Sequence, residues 1–291
     1  MAQLGRVGVW SGELRQHPDT GLVSDAAAEL EQLGYSAIFP PGRSGGDVLE
    51  RSELLLEATD AITVAPGILN VWMHDPADVA KARAKIEHRH PGRFWLGLGI
   101  SHAPLINRTE PGLYRKPLTK MRQYIDELDS ADPPVPPEAR FLAALGPKML
   151  ELARDRSSGA HPYLVPVEHT SYAREIIGPD RLLATEQAVL LETDPGRARE
   201  LARVHLRRYF PLPNYTSNFL RHGFTEDDIA GDGSDRLVDG IVAWGDEQAI
   251  ADRVNAHLEA GADHVCIQVV GLPDAEPPRE QWRRLAPALT A

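Results

Sequence analysis

The sequence predicts an α/β protein, a (β/α)8 TIM barrel with a helical insertion between strands 7 and 8. Three observations support this prediction. Apolar strand segments and helical patterns alternate along nearly all of the 291 residues. The first strand lacks the glycine fingerprint of an open dinucleotide-binding sheet, which is the competing α/β fold. The alternation breaks at residues 209–244, so we treat residues 1–291 as one domain that carries an insertion.

Eight apolar segments are candidate strands. They cover residues 6–11, 36–39, 62–72, 94–101, 141–145, a short segment ending at 161–163, 182–191 and 264–270. The third segment is interrupted by Pro66 and Gly67, and the fourth follows a turn that ends at Gly92. Turn residues between apolar runs are the ordinary boundaries of strands. The segments therefore form a regular series along the chain.

Amphipathic helices are predicted between these strands. Ile250, Val254 and Leu258, for example, recur at the spacing of one helix face, and Gly261 follows at the position of a C-terminal cap. The predicted helices cover residues 23–33, 48–59, 75–88, 117–128, 148–156, 171–177, 195–208, 246–259 and 280–288. Helices that alternate with strands in this way indicate parallel βαβ units.

Residues 209–244 do not continue the alternation. They contain turns, aromatic residues and two short helical patterns, with no segment that has the pattern of a strand. We therefore expect this insertion to consist of helices that pack beside the barrel.

Composition excludes several classes of protein. A net charge of −11 argues against a nucleic-acid or anionic-membrane partner, which would require a basic surface. One cysteine, Cys266, cannot form an internal disulfide or a multi-cysteine metal site. No apolar run approaches the roughly 18 residues that span a bilayer, and no signal-peptide pattern is present. We therefore expect a cytoplasmic protein that acts on a small molecule and holds no metal.

In a barrel of this kind the chemistry takes place at the C-terminal ends of the strands. Those positions carry small, aromatic and histidine side chains with few charges. They contain no cluster with metal-ligand spacing, no phosphate-binding P-loop and no serine nucleophile motif. This profile is typical of a site where a bound planar cofactor supplies the chemistry and protein groups position and polarise it.

His102, after the fourth strand, is the side chain best suited to move a proton near neutral pH. The alternative is a hydrogen-bonded histidine that supports its loop. His161 and His74 are weaker candidates because each stands beside a proline-containing turn. Trp10 and Trp72 either flank a planar ring or simply pack at the rim.

Gly146, Pro147 and Lys148 open the helix that follows the fifth strand. The first turn of a helix offers unpaired N–H groups and the positive end of the dipole, which suit a phosphate. The alternative is that Gly146 and Pro147 merely turn the chain. Residues 42–46 form a second glycine-rich segment, which is either an anion-binding loop or a mobile one.

Three segments resemble bacterial luciferase-like oxidoreductases. They are APGILNVWMHDP at 65–76, GRFWLGLG at 92–99 and AGADHV at 260–265. Two more segments, LGPKMLELA and HPYLVPVEHT, are most similar to the actinobacterial branch assigned to the deazaflavin coenzyme F420. The resemblance extends over essentially the whole chain.

The resemblance implies a (β/α)8 barrel with an insertion before the last strand. It also implies a non-proline cis peptide in the bulge of strand three, which the motif places at Gly67–Ile68, and a catalytic His102 that faces the reacting carbon. We expect the following cofactor contacts: Gly67, Ile68, Asn70, Ser101 and Tyr163 near the ring, and Gly146, Pro147 and Lys148 at the phosphate.

The implied function is a coenzyme F420-dependent oxidoreductase, a homodimer that transfers a hydride between the deazaflavin and a small organic substrate. An FMN-dependent monooxygenase and a non-catalytic flavin-binding barrel are the alternatives. Pro40 and Pro41 stand where some deazaflavin dehydrogenases carry Asp-His, and His102 stands where they carry glutamate. The substrate therefore does not follow from the resemblance.

Overall fold

The computed structural model describes residues 4–42, 47–273 and 276–290. The glycine-rich segment 43–46 therefore lies outside the described residues. The strands in this part of the chain are β1 (Val7–Trp10), β2 (Ala37–Phe39), β3 (Thr63–Val64), β4 (Leu69–Asn70), β5 (Leu96–Gly99), β6 (Arg140–Leu142), β7 (Gly159–Ala160), β8 (Leu182–Leu191), β9 (Val242–Gly245) and β10 (His264–Val269). The helices are α1 (Gly12–Gln16), α2 (Thr20–Gln32), α3 (Val48–Glu57), α4 (Pro76–Arg89), α5 (Ala103–Thr109), α6 (Pro117–Ser130), α7 (Pro147–Arg156), α8 (Val167–Ile177), α9 (Pro195–Leu206), α10 (Pro213–Arg221), α11 (Glu226–Ile229), α12 (Asp235–Ile241), α13 (Glu247–Glu259) and α14 (Arg279–Leu289).

The strands form a closed parallel barrel. The hydrogen-bonded order is β3-β2-β1-β10-β8-β7-β6-β5-β4, with β9 added beside β8. β3 and β4 are two pieces of the third barrel strand. The ring closes through two parallel bridges, Gly42 with Leu69 and Val64 with Phe94, which join these pieces to their neighbours. The predicted (β/α)8 barrel is confirmed.

The third barrel strand is interrupted at Pro66 and Gly67, as predicted, and its two pieces cover only residues 63–64 and 69–70 of the predicted 62–72. Between the pieces the chain bulges at Pro66, and the peptide bond from Gly67 to Ile68 is cis, as the resemblance implies. The neighbouring strand β5 leaves room for this bulge. A Cβ on Gly97 would overlap the carbonyl oxygen of Pro66, and a Cβ on Gly99 would overlap the Ile68 side chain. Gly97 and Gly99 therefore leave the space that the bulge occupies, in addition to forming part of the strand.

The prediction that the insertion contains no strand is wrong. Val242–Gly245 forms β9, which pairs in parallel with residues 188–191 of β8. Helix α12 ends at Ile241 and β9 begins at the next residue, so no turn residue marks the change. In the sequence, the apolar C-terminal end of α12 and the apolar residues of β9 form one continuous pattern. The rest of the insertion is helical, as predicted, with α10, α11 and α12 in place of two short helices.

The structure contains two short helices that the sequence prediction lacks, and α8 begins earlier than predicted. Helices α1 and α5, at the mouth of the barrel, are short segments that carry no amphipathic pattern. Helix α8 begins at Val167, before the predicted start at residue 171, because Pro166 takes the N-cap position. Helices α2, α3, α4, α9 and α13 begin at an Asp cap whose carboxylate accepts backbone N–H groups, as Asp75 does for α4.

Two apolar layers stabilise the barrel. Inside it, small residues alternate with rings such as Phe39 and Phe141, and Cys266 is fully buried among them, as predicted. Outside it, the apolar faces of the helices pack on the strands, and each fully buried aliphatic side chain contributes about 1.5–3 kcal/mol. None of the helices in the described ranges is long and apolar enough to cross a membrane. The C-terminal ends of the strands are thus held in a fixed ring.

Candidate active site

The strand-three bulge forms one side of the barrel mouth. Trp10, at the end of β1, donates its indole N–H to the carbonyl oxygen of Gly67 at 2.9 Å. A Cβ on Gly67 would lie only 2.9 Å from the Trp10 nitrogen and 3.2 Å from Nε2 of His161. Trp10 and His161 therefore occupy the space that a side chain at position 67 would need, so the close packing of the bulge requires glycine.

Ile68 and Asn70 complete the bulge. The Ile68 side chain lies against Gly99 of β5. Asn70 is 7% exposed, and its Oδ1 accepts the backbone N–H of Trp72 at 3.1 Å. Trp72 in turn donates its indole N–H to the carbonyl of Ile100 at 2.8 Å. Asn70 therefore holds the turn after β4, in addition to any contact that it makes with a ligand.

Ser101 and His102 follow β5 on the adjacent part of the mouth. Ser101 has a φ of 57°, an uncommon left-handed conformation for a residue with a side chain. His102 occupies the N-cap of α5 without making a side-chain capping bond, and its buried Nδ1 has no partner in the described structure. Burial lowers the pKa of His102 to about 4, so the imidazole is neutral at pH 7. The buried Nδ1 therefore makes no hydrogen bond to the loop that carries it.

Tyr163 packs on Trp10, the residue that is bonded to the bulge, with ring centroids 5.4 Å apart. Its hydroxyl lies 2.6 Å from the hydroxyl of Tyr209 and donates to Oε1 of Gln268 at 2.8 Å. Burial raises the pKa of Tyr163 well above its ordinary value, so the hydroxyl keeps its proton. Three distant segments thus meet in one hydrogen-bonded group.

The insertion supplies a cover for this mouth. Tyr215 of α10 is 7% exposed, and its ring centroid lies 4.8 Å from that of His102 and 6.2 Å from that of Tyr163. The neighbouring Asn214 donates to the carbonyl of Ser101 at 3.4 Å. Helix α10 therefore shields His102 from water and causes the burial that lowers its pKa.

The N-terminus of α7 forms the outer part of the site. Gly146 is its N-cap and supplies no side-chain capping bond, and Pro147 fills the first helical position. Lys148 is exposed and makes no ion pair with the described residues. Arg221, at the end of α10, reaches within 4.0 Å of the position a Cβ would occupy on Gly146. Two cations and the positive end of a helix dipole thus lie together, which suits a phosphate.

Helix α10 connects the two parts of the site. Tyr215 and Arg221 are six residues apart, which corresponds to roughly 9 Å along the helix axis. The His102 environment and the α7 terminus are therefore spanned by a single short helix. The sequence-predicted residues Gly67, Ile68, Ser101, His102 and Tyr163 border the mouth, and Gly146, Pro147 and Lys148 lie at its outer part.

Other predicted candidates have different surroundings. His161 is fully buried beneath Gly67, and its Nδ1 lies 2.7 Å from the carbonyl of Ala184. His74 lies beside the start of α4, and it is Asp75 that caps that helix. Among the residues that the structure describes, no group of three or more His, Cys, Asp or Glu side chains could hold a metal ion.

Sequence reasoning missed five residues of the site. They are Glu186, Tyr209, Tyr215, Arg221 and Gln268. Glu186 and Gln268 carry a usable signal, since Glu186 belongs to the polar run Thr185–Gln187 inside β8 and Gln268 follows the apolar residues of β10. The other three lie in or beside the insertion, where no periodic pattern relates them to the barrel.

Comparison with known proteins places this geometry in context. Residues 6–131 match the family model described as luciferase-like monooxygenase. A curated relative from Mycobacterium tuberculosis, provisionally named a coenzyme F420-dependent oxidoreductase, is 23% identical over 168 residues. That match covers 56% of this chain and 45% of the relative, so the chain spans about half the length of the relative it matches.

Solved structures share the fold over nearly the full chain. An F420-dependent secondary alcohol dehydrogenase in complex with an F420-acetone adduct aligns with a TM-score of 0.72, 13% identity, and coverage of 99% of this chain and 98% of that one. A coenzyme F420-dependent tetrahydromethanopterin reductase from Methanopyrus kandleri also gives 0.72, with 15% identity and 99% coverage of both chains. A type II Baeyer-Villiger monooxygenase from Pseudomonas putida, in complex with FMN, gives 0.68 with 14% identity and 98% coverage of both.

Proposed function

We propose that this chain is an enzyme of the luciferase-like family and, within it, a coenzyme F420-dependent oxidoreductase; the match of residues 6–131 to the family model and the similarity to the mycobacterial relative support this. It would transfer a hydride between the deazaflavin and a small organic substrate in the barrel mouth. One observation carries the proposal. The side-chain-free backbone at Gly67 and the unpartnered nitrogen of His102 border the same covered mouth, joined by the contacts of Trp10, Tyr163 and Tyr215.

The residues present fit a deazaflavin cofactor. Its flat ring would lie against the bulge formed by Gly67 and Ile68, where Gly67 adds no side chain of its own. Its phosphate would bind at Gly146 and Lys148, with Arg221 as a further cation. When bound, the deazaflavin supplies a carbon that donates or accepts a hydride.

The protein would handle the proton that accompanies the hydride. His102 is neutral at pH 7, so its imidazole can accept a proton from a substrate hydroxyl as the hydride leaves the same molecule. In the opposite direction the protonated imidazole would return that proton to a carbonyl oxygen. Tyr215 excludes water from this nitrogen, because its ring lies against His102.

A fluorescence titration of the purified protein with coenzyme F420 and, separately, with FMN tests the proposal. We expect saturable F420 binding at micromolar concentrations and much weaker FMN binding. Gly67→Ala should lose F420 binding, since the new methyl group would meet the Trp10 indole. Gly12→Ala is the matched control, because the nearest atom to its Cβ is 3.9 Å away. Failure of the wild-type protein to bind F420 would contradict the proposal.

An FMN-dependent monooxygenase is the second candidate. It is favoured by the monooxygenase description of the matching family and by the fold shared with the FMN-bound Baeyer-Villiger enzyme. Oxygen consumption in the presence of reduced FMN separates the two functions, because a deazaflavin has carbon in place of the reactive ring nitrogen of a flavin and reacts poorly with oxygen. Rapid uptake with FMN and none with F420 would favour this candidate.

We also propose that the protein is a homodimer that acts on a small molecule without a nucleic-acid or membrane partner. The support is the family resemblance and the net charge of −11. Light scattering from the purified protein, over a range of concentrations, measures the mass of the assembly. A monomer at all concentrations would reject the dimer.

A further inference from the structure

Glu186 is an acidic residue in the interior of the barrel. It stands in the middle of β8, opposite Cys266 of β10, and is fully buried. Alternate residues of β8 point to opposite faces, and Ala184, two positions earlier, belongs to the apolar interior of the barrel. Glu186 therefore points to the same interior, beneath the mouth.

Glu186 holds the turn that carries Tyr163. Its backbone N–H donates to the carbonyl of Pro162 at 2.9 Å. Its Oε2 accepts the backbone N–H of Leu164, also at 2.9 Å. Leu164 has a φ of 57°, and this left-handed conformation costs a residue with a side chain about 1–2 kcal/mol. Tyr163 thus lies between two residues that are both bonded to Glu186.

The second carboxyl oxygen, Oε1, is buried and has no hydrogen-bond partner in the described structure. The titratable groups that face Glu186 are the phenols of Tyr163 and Tyr215 and the thiol of Cys266, which come from the β7 turn, α10 and β10. None of them is a cation. Burial raises the pKa of Glu186 to about 8, opposed by the hydrogen bond from Leu164. The neutral acid is the form that this environment stabilises near pH 7.

We propose that Glu186 is a positioning residue for Tyr163 that works as a protonated acid, and that its ionisation opposes cofactor binding in the mouth above it. The first half concerns the protein alone, and the second half rests on the proposed function. Glu186 would contact neither the substrate nor the reacting atoms. It acts through the Tyr163 turn and through its charge.

The coupling to the cofactor follows from electrostatics. F420 carries a phosphate and is an anion, so a carboxylate beneath its ring would repel it. The ring would also remove water from the mouth and so increase the cost of the charge. If the complex requires protonated Glu186, the Kd should rise by up to about tenfold for each pH unit above the pKa of Glu186.

Two substitutions separate the contributions of the hydrogen bond and the charge. Glu186→Gln keeps an oxygen for Leu164 N–H and cannot ionise. Glu186→Ala leaves that N–H without an acceptor. Glu151→Gln, at an exposed position on α7, is the matched control. F420 titrations from about pH 6 to about pH 9.5 span the raised pKa. We expect binding to weaken above about pH 8 in the wild type and in Glu151→Gln, to stay level in Glu186→Gln, and to be weak throughout in Glu186→Ala.

The cofactor-free protein provides an independent readout. Infrared spectra at neutral pH should show the carbonyl stretch of a buried protonated carboxyl, absent from Glu186→Gln and present in Glu151→Gln. A missing band overturns the protonated state, even if F420 binds as proposed. If the band is present but F420 affinity in the wild type and in Glu186→Gln depends on pH in the same way, the coupling is overturned. If the band is present and F420 does not bind, the proposed function fails while the protonated acid stands.

Discussion

The two halves of the barrel mouth are built by different means. The half formed by β1 to β5 is made of backbone, with glycines at positions where any Cβ would meet Trp10, Pro66 or Ile68. The half formed by β7 to β10 and the insertion is made of side chains, which hydrogen-bond across separations of up to 105 residues. The first half therefore fixes a shape, whereas the second half determines protonation and solvent access.

The largest effect is expected at His102, where the two halves meet. His102→Ala should reduce the turnover of an alcohol that the wild-type protein oxidises with F420 by about 10²–10⁴-fold, the usual contribution of a general base. Because the active form is neutral and burial lowers the pKa to about 4, wild-type activity should fall as the pH drops through about 4 rather than near 6.5. Steady-state kinetics against pH measures both effects.

The control for this prediction is His88→Ala, at an exposed position on α4. It should leave turnover and the pH profile unchanged. Unchanged turnover in His102→Ala would remove His102 from the mechanism, and an acid limb near pH 6.5 would show that α10 does not shield it during catalysis.

The next effect tests the backbone half. Gly97→Ala places a methyl group on the carbonyl of Pro66 and on the ring of Phe141, both held by the barrel. Overpacking of a core usually costs about 1–3 kcal/mol, and a collision with backbone belongs at or above the upper end of that range. Urea unfolding followed by circular dichroism measures the loss. Gly12→Ala, which has open space for its Cβ, should change stability little, and an equally small loss in Gly97→Ala would show that the bulge can move.

This half could be predicted from the sequence because its constraints are local. The glycines of the GLG segment and the Pro66-Gly67 interruption stand within contiguous motifs, and the structure places the bulge where the motif does. The alternation of apolar strand segments and helical patterns likewise predicted the barrel fold. β9 escaped prediction because its first residue follows a helix directly, so no turn residue separates two apolar patterns.

The second half could not be predicted in the same way. Tyr209, Tyr215 and Arg221 lie in or near the insertion, and their positions depend on how α10 crosses the mouth. Glu186 was included in a strand without a role, although an acidic residue in a buried strand is costly unless it is paired or neutral. Sequence patterns report secondary structure, whereas these contacts depend on tertiary packing.

A smaller effect tests the side-chain half. Tyr163→Phe removes the hydroxyl that bonds to Tyr209 and Gln268, and leaves the Gln268 oxygen without its donor. We expect a loss of about 1–3 kcal/mol in the free energy of unfolding. Thermal and urea unfolding of the cofactor-free protein measure it. Tyr172→Phe, on α8, is the control and should be nearly neutral, and equal stability of both variants would mean that the hydroxyl group does not stabilise this half.

The smallest effect is expected at the outer part of the site, where α10 brings Arg221 to the α7 terminus. Arg221→Gln removes one cation from an exposed site that retains Lys148 and the helix dipole. Exposed charges of this kind contribute less than about 1 kcal/mol, so F420 affinity should fall only about two- to five-fold. The loss should shrink as salt is added, because the Debye length drops to about 3 Å at 1 M.

Arg208→Gln, at an exposed position just after α9, removes the same charge away from the α7 terminus. It separates a local contact from the field of the whole protein, since both variants change the net charge equally. If the phosphate binds at Gly146, the Arg221 variant loses affinity and the Arg208 variant does not. Equal losses would attribute the effect to net charge, and they would leave α10 as a cover for His102 with no part in holding the phosphate.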